Sequence, residues 1–275
     1  KKFGKPRLFF GVSSGAIDSM LVNYTPLKKS RQENSFSKMS YVMPDRAVLV
    51  YCNMLKKLFK GSKIVIGGPE SSLRRFAHYD YWENRVRSSI LLESRADILV
   101  YGYGELQIIE IAEKLDQSKP IDNIEGTCIV SKEVPKGYIE IPSFEEVIKD
   151  KKKFCDMQNL ISNENRIAQK FGNRYVIQHK RKEYSEKDVD YIYSLNYSRK
   201  IPPGYNEFNL VKFSVLTHRG CVGNCNFCSI STNGGRRIVS RSKESIISEI
   251  KKLTKMPDFK GVVELSGASA NMYGA

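Results

Sequence analysis

The sequence predicts an α/β protein: a doubly wound parallel sheet followed by the opening units of a β/α barrel. Three observations carry that expectation. Short β-branched runs such as Lys63-Ile64-Val65-Ile66 and Asp97-Ile98-Leu99-Val100-Tyr101 alternate with amphipathic helical stretches, the pattern of a parallel sheet covered by helices. The early runs end on glycine, at Gly11, Gly67-Gly68 and Gly102. A second strand–loop–helix–strand pattern starts at Val211.

In chain order, Leu8 to Val12 is a short apolar run that reads as a buried strand and ends in a turn. Pro44-Asp45 opens a helix, with Val48, Tyr51, Cys52, Leu55, Leu58 and Phe59 on one face. Lys63 to Ile66 feeds the tight turn Gly67-Gly68-Pro69, and the strand at Asp97 to Tyr101 is followed by a helix from Glu105. That helix carries Ile108, Ile109, Ile111, Ala112 and Leu115 as its apolar stripe, and Cys128-Ile129-Val130 is a fourth strand. Ser143 to Ala168 reads as helical and polar, and Tyr175-Val176-Ile177-Gln178 as a short strand.

Lys180 to Phe208 has no sustained period and contains Pro202 and Pro203. It reads as a connector whose Tyr184, Tyr191, Tyr193 and Tyr197 pack on something. Lys212 to Leu216 alternates as a strand. Ser242 can cap a helix with Glu244 in its first turn and Ile246, Ile247, Ile250 and Leu253 on its buried face. Gly261 to Leu265 is the next strand, ending at Ser266-Gly267. The expected organisation is therefore a first α/β domain over 1–180, a connector over 181–210, and a second α/β unit over 211–275.

A length of 275 residues suits about two domains. No stretch approaches the ~18 uncharged apolar residues of a membrane helix, and a cytoplasmic location is expected. The net charge of +15 admits an acidic partner, RNA among them, or a surface of solvated lysines. The charge is spread rather than blocked, which favours the plainer reading, although Ser229 to Lys260 holds eight basic and three acidic residues. There is no dinucleotide or P-loop glycine fingerprint, so the glycines at the strand ends are read first as tight turns and second as the lip of a cleft.

Six cysteines are present, and three of them fall within eight residues: His218-Arg219-Gly220-Cys221-Val222-Gly223-Asn224-Cys225-Asn226-Phe227-Cys228. Cys52, Cys128 and Cys155 are scattered. A tight cluster points to metal rather than to a disulfide framework. Three thiolates can hold three irons of a cubane and leave the fourth open, as a catalytic metal requires. Gly220 and Gly223 would let the backbone approach such a cluster. The competing reading is a Cys₃His zinc site completed by His218. Crowding of all four ligands into one loop of a sheet-forming unit, rather than two separated pairs, favours iron and sulfur.

The spacing Cys-x-x-x-Cys-x-aromatic-Cys, with Phe227 in the aromatic slot, resembles the signature of radical S-adenosylmethionine (SAM) enzymes. The flanks Phe227-Cys228-Ser229-Ile230, Gly235-Arg236-Arg237-Ile238 and Ser240-Arg241-Ser242 are similar to the YgiQ-type radical SAM proteins. So are Arg7-Leu8-Phe9-Phe10-Gly11, the run from Ser72 to Trp82, and Ala96 to Gly102. The resemblance implies a radical SAM β/α partial barrel after a Rossmann-like sheet similar to cobalamin-binding domains. It implies a [4Fe-4S] cluster on Cys221, Cys225 and Cys228, SAM on its open iron, a flavodoxin- or ferredoxin-type electron donor, and a 5′-deoxyadenosyl radical acting on an unknown substrate. Phe227 would line the adenine side or pack in a core. Ser266 and Gly267 match the position that contacts the SAM amino group, but without the usual Gly-Gly-Glu. The cobalt-ligating Asp-x-His-x-x-Gly pattern is missing, so cobalamin is not expected. Arg74, Arg75 and Tyr79-Asp80-Tyr81-Trp82 are read equally as a substrate cleft or a structural loop.

Only 47 residues follow Cys228, against about 30 per strand–helix unit of a barrel. The chain is expected to be a truncated one, short of the later barrel strands and impaired on its own. A non-catalytic iron–sulfur electron-transfer or binding module is the alternative to an enzyme.

Overall fold

The structure is a computed structural model that describes residues 3–31, 43–201, 211–223, 225–261, 263–269 and 271–275. Pro202 and Pro203 of the expected connector, Asn224 of the cysteine loop and Val262 of the last expected strand lie outside the described residues. The chain divides into two compact units, Lys1–Lys182 and Glu183–Ala275.

The first unit contains β1 (Phe9–Val12), α1 (Ser19–Asn23), α2 (Ala47–Leu58), β2 (Lys63–Ile66), α3 (Gly68–Leu73), β3 (His78–Asp80), β4 (Arg85–Arg87), α4 (Ile90–Ser94), β5 (Ile98–Val100) and α5 (Glu105–Asp116). It continues with β6 (Thr127–Ser131), β7 (Ile139–Ile141), α6 (Phe144–Val147), α7 (Lys151–Asn163), β8 (Ile167–Phe171) and β9 (Arg174–Gln178). Seven strands make one sheet in the order β1-β2-β5-β6-β9-β8-β7.

The sheet opens as the sequence pattern requires. β1, β2 and β5 run parallel, with Phe10 beside Ile64 and Val65 beside Ile98. Alternate residues of β2 point to opposite faces: Ile64 and Ile66 join α2, α4 and α7 in one core, while Val65 joins Ile98, Val100 and Ile111 of α5 in the other. Helices therefore cover both faces. Each fully buried aliphatic side chain contributes about 1.5–3 kcal/mol, which is why these β-branched runs are apolar throughout.

Beyond β5 the sheet departs from an all-parallel one. β6 pairs antiparallel with β5 and with β9, and β8 and β9 are antiparallel partners. The stretch from Ser143 to Ala168 is helical only as far as Asn163, because Ile167–Phe171 is a strand. Its cause is local: Phe171 faces Arg174 across Gly172-Asn173, and Gly172 has φ +59°, the two-residue turn of a hairpin. The polar break before α6 is a capping box, with Ser143 and Glu146 each bonding the other's backbone.

The second unit contains α8 (Glu186–Ser194), β10 (Ser214–Arg219), α9 (Ile230–Gly234), β11 (Val239–Ser240), α10 (Lys243–Leu253) and β12 (Glu264–Gly267). Its sheet is ordered β11-β10-β12, with β10 and β12 parallel and β11 antiparallel to β10. β10, α10 and β12 are thus one βαβ unit. Ser242 caps α10 by accepting from the Ser245 amide, and Ile246 and Leu253 pack on Val215. The stretch read as a connector contains α8, capped by a Ser185–Asp188 box, and its helical period is short enough to hide in a tyrosine-rich run.

Candidate functional site

The cysteine loop begins where β10 ends. Gly220 has φ +84°, and a Cβ there would lie 2.0 Å from the Arg237 carbonyl oxygen. No side chain fits at that crossing, so the glycine lets the chain turn beneath the strand that returns as β11. The Cys221 amide then donates to the Gly235 carbonyl at 3.2 Å, closing the loop around α9, and the Cys228 amide donates to the Cys225 carbonyl at 3.0 Å.

All three thiols are free. Cys225 is exposed, and Cys221 and Cys228 are half-buried. A Cβ on Gly223 would lie 3.3 Å from the Cys221 sulfur and 3.7 Å from that of Cys225. The two sulfurs are therefore within about 7 Å of each other. Cys52 and Cys128 are buried, and burial pushes both thiols up to about 12, which leaves them protonated and inert.

Among the described residues no three His, Cys, Asp or Glu side chains converge as a single-ion site. Tetrahedral zinc with Zn–S of about 2.3 Å needs sulfurs roughly 3.8 Å apart. A cubane holds its thiolates on separate iron corners and needs no such knot. Three free thiols on one loop, two of them beside a bare glycine, are a donor set that suits a cluster. His218 lies elsewhere in the geometry. It is buried in β10 with its ring against Gly267, where a Cβ would fall 1.9 Å from Cε1.

A hydrogen-bond chain joins His218 to β12. The Thr217 hydroxyl donates its one hydrogen to the Ser266 carbonyl at 3.0 Å, so towards His218 Nδ1, 3.0 Å away, it accepts. Nδ1 therefore donates to Thr217, and Nε2 is buried with no partner among the described residues.

Ser266 pairs with Leu216 and Gly267 with His218. Because β10 and β12 are parallel, Ser266-Gly267 and the start of the cysteine loop share one carboxyl edge, where α/β proteins place their ligands. Phe227, at 92% exposed, packs in no core of this chain.

Sequence reasoning missed the anchor behind the loop. Arg219 is buried and lies 5.9 Å from the Tyr184 ring centroid and 5.2 Å from that of Tyr193. Arg241 is fully buried, 4.5 Å from the Tyr193 ring centroid. It donates to the Leu216 carbonyl at 2.8 Å, to Ser245 Oγ, and to Glu249, which also takes Arg199. The tyrosines of the expected connector are the legible trace of this network. In the first unit, Arg74 pairs with Asp18, and Asp80 with Arg46 and Arg87, so these members of the Ser72–Trp82 run are tied into ion pairs. Tyr79 and Tyr81 are exposed.

Residues 1–215 match the family model described as Radical SAM N-terminal. The chain belongs to the radical SAM N-terminal family. The match ends within β10, before the cysteines. Nearly the whole chain aligns with UPF0313 proteins: 44% identity over 291 residues with that of Fusobacterium nucleatum, covering 99% of this chain and 51% of the relative. With the Methanocaldococcus jannaschii protein the identity is 45% over 288 residues, covering 99% and 48%. The chain thus spans about half the length of these curated relatives. Among solved structures, the radical SAM methyltransferase TsrM of Kitasatospora setae, with tryptophan and a SAM analogue bound, is similar over 96% of this chain and 37% of its own. Its TM-score is 0.45 at 15% identity, and the family assignment rests on the model match alone.

Proposed function

We propose that this chain is the amino-terminal part of a radical SAM enzyme, with Cys221, Cys225 and Cys228 as ligands of a [4Fe-4S] cluster. The observation that carries the reading is three free thiols, at offsets four and three, on a loop leaving the carboxyl edge of β10 beside Ser266-Gly267. When bound and reduced, such a cluster would supply one electron to split the SAM sulfonium bond into methionine and a 5′-deoxyadenosyl radical able to take a hydrogen atom from a substrate. The residues of this chain do the holding. The three thiolates anchor three corners and leave the fourth for the SAM amino and carboxylate groups. Gly223 keeps a side chain away from the Cys221 and Cys225 sulfurs, and Gly220 lets the loop cross the Arg237 backbone. Ser266 and Gly267 offer backbone groups at the same edge for the SAM amino group, and Phe227 offers a free ring face for the adenine. A small flavodoxin- or ferredoxin-type protein would donate the electron, and the basic stretch after the loop leaves RNA as one candidate substrate class.

Anaerobic reconstitution of the full-length protein, with iron and sulfide quantified and EPR recorded with and without SAM, tests the reading. About four irons and four sulfides per chain are expected, falling sharply in Cys225→Ala, with a spectrum that changes on adding SAM. Preferential uptake of zinc would sink the cluster. An iron–sulfur spectrum unmoved by SAM would favour a non-catalytic electron-transfer module.

A further inference from the structure

Arg75 follows α3 and is 4% exposed. Its guanidinium has five N–H hydrogens, yet it makes two hydrogen bonds among the described residues. Nε donates to Gln178 Oε1 at 2.6 Å and Nη1 to the Ser72 carbonyl at 2.6 Å. Both acceptors are neutral. It lies 5.1 Å from the Tyr101 ring centroid, and Arg181 lies at the same distance from that ring. The second guanidinium raises the cost of the first.

The acidic groups that act on Arg75 are Cys128 and Tyr101. Burial holds the Cys128 thiol up near 12 and raises the Tyr101 phenol further, so neither supplies a negative charge at neutral pH. Arg75 lies 5.7 Å from the Phe76 ring centroid as well as 5.1 Å from that of Tyr101, so two ring faces offset part of its charge, as they do for Arg219. Among the described residues no carboxylate pairs with Arg75 and both of its acceptors are neutral, an arrangement that burial disfavours unless an anion joins it.

The surroundings fit a ligand rather than a core. Tyr101 follows β5 and donates to the His179 carbonyl, next to the end of β9, at 2.7 Å. The Gly102 amide donates to Ser72 Oγ at 3.2 Å. Arg75 is therefore at the carboxyl ends of β5 and β9, the edge where open α/β sheets take ligands. Arg181 is only half-buried and provides a way in. A cavity of about 380 Å³ opens on the same edge between Gly11, Gly67, Gly102 and Ile108.

We propose that Arg75, with Arg181 on the same tyrosine, forms an oxyanion site at the carboxyl ends of β5 and β9 that takes the phosphate or carboxylate group of a small ligand. A guanidinium fork with free hydrogens matches either group in two-point contact. The site stands apart from the cluster reading and survives its failure.

The test titrates the full-length protein with inorganic phosphate, succinate or chloride at constant ionic strength, following the melting temperature and binding heat. A saturable rise of a few degrees with phosphate or succinate but not chloride is expected, and which anion acts identifies the group the site prefers. Arg181→Gln should weaken that response roughly tenfold. Arg75→Met should abolish it while leaving the ligand-free protein at least as stable as wild type, because a charge without a carboxylate partner has been replaced by an apolar chain of similar length. Absence of a saturable response in the wild type, or an unchanged one in Arg181→Gln, overturns the proposal. A ligand-free Arg75→Met protein that melts far below wild type also overturns it, since the charge would then already be compensated.

Discussion

Replacing Glu249 by Gln tests the anchor beneath the cysteine loop. The carboxylate of Glu249 is 9% exposed and stands between two guanidiniums, Arg241 at 0% and Arg199 at 19%. It is the only carboxylate that pairs with either among the described residues. The amide keeps the size and some of the hydrogen bonds but removes the one negative charge, leaving a buried and a half-buried cation without it. Breaking a buried pair in this way costs about 3–5 kcal/mol, or roughly 6–20 °C in melting temperature for a chain of this size. Urea unfolding of wild type and Glu249→Gln at pH 7 measures it directly. Glu244→Gln is the control, an exposed carboxylate in the first turn of the same helix, where the loss should stay below about 1 kcal/mol. The coupling also has a local reading. Arg241 holds the Leu216 carbonyl, five residues before Cys221, so Glu249→Gln should loosen the loop and lower iron uptake at temperatures where the protein remains folded. A loss under about 1 kcal/mol for Glu249→Gln would refute the reasoning, because it would mean that solvent already screens the triad.

Other consequences are open to measurement. His78 is lowered to about 4, chiefly because burial disfavours the charged ring, with Arg74 and Arg87 adding to it. The neutral ring is the folded form, so its stabilisation is complete above about 6.5 and is lost as the pH falls towards 4. His78→Gln should remove up to about 3 kcal/mol of acid sensitivity in that window, and an NMR titration giving an ordinary value for His78 would rule this out. Thiol reagents should label Cys225 and Cys155 rapidly in the native apoprotein and spare Cys52 and Cys128 until it unfolds. Peptide mapping showing early label on Cys52 would contradict the burial argument. Gly220→Ala should displace the loop from the Arg237 carbonyl and lower bound iron per chain, with far-ultraviolet circular dichroism unchanged. Full iron loading in that variant would show that the crossing is not tight.

Where burial on both faces dictates composition, the fold was legible in the sequence. Lys63 to Ile66 and Cys128 to Val130 read directly as strands, the second extending to Thr127–Ser131 in the structure, and Ser242 as a cap. The helix expected from Pro44 begins at Ala47. Ile167–Phe171 was obscured because its signal lies in Gly172-Asn173 rather than in its own pattern, and a hairpin turn is a two-residue event. The antiparallel strands beyond β5 could not be read from alternation, which carries no direction. At the candidate site the spacing singled out Cys221, Cys225 and Cys228, and the structure adds that all three thiols are free on one loop. The Arg199–Glu249–Arg241 triad was not legible, because Arg199 is fifty residues from Glu249 and charged side chains look solvated until packing brings them together. Phe227 left two readings open, and it is 92% exposed among the described residues.

The contact between His218 and Gly267 has an evolutionary corollary. The imidazole stands where a β-carbon of residue 267 would have to be, so neither position is free to drift alone. A doubly randomised library selected for folding should yield paired solutions, with bulk at 267 only when the ring at 218 has given way to something small. Independent variation of the two positions would show that the strands can part at little cost.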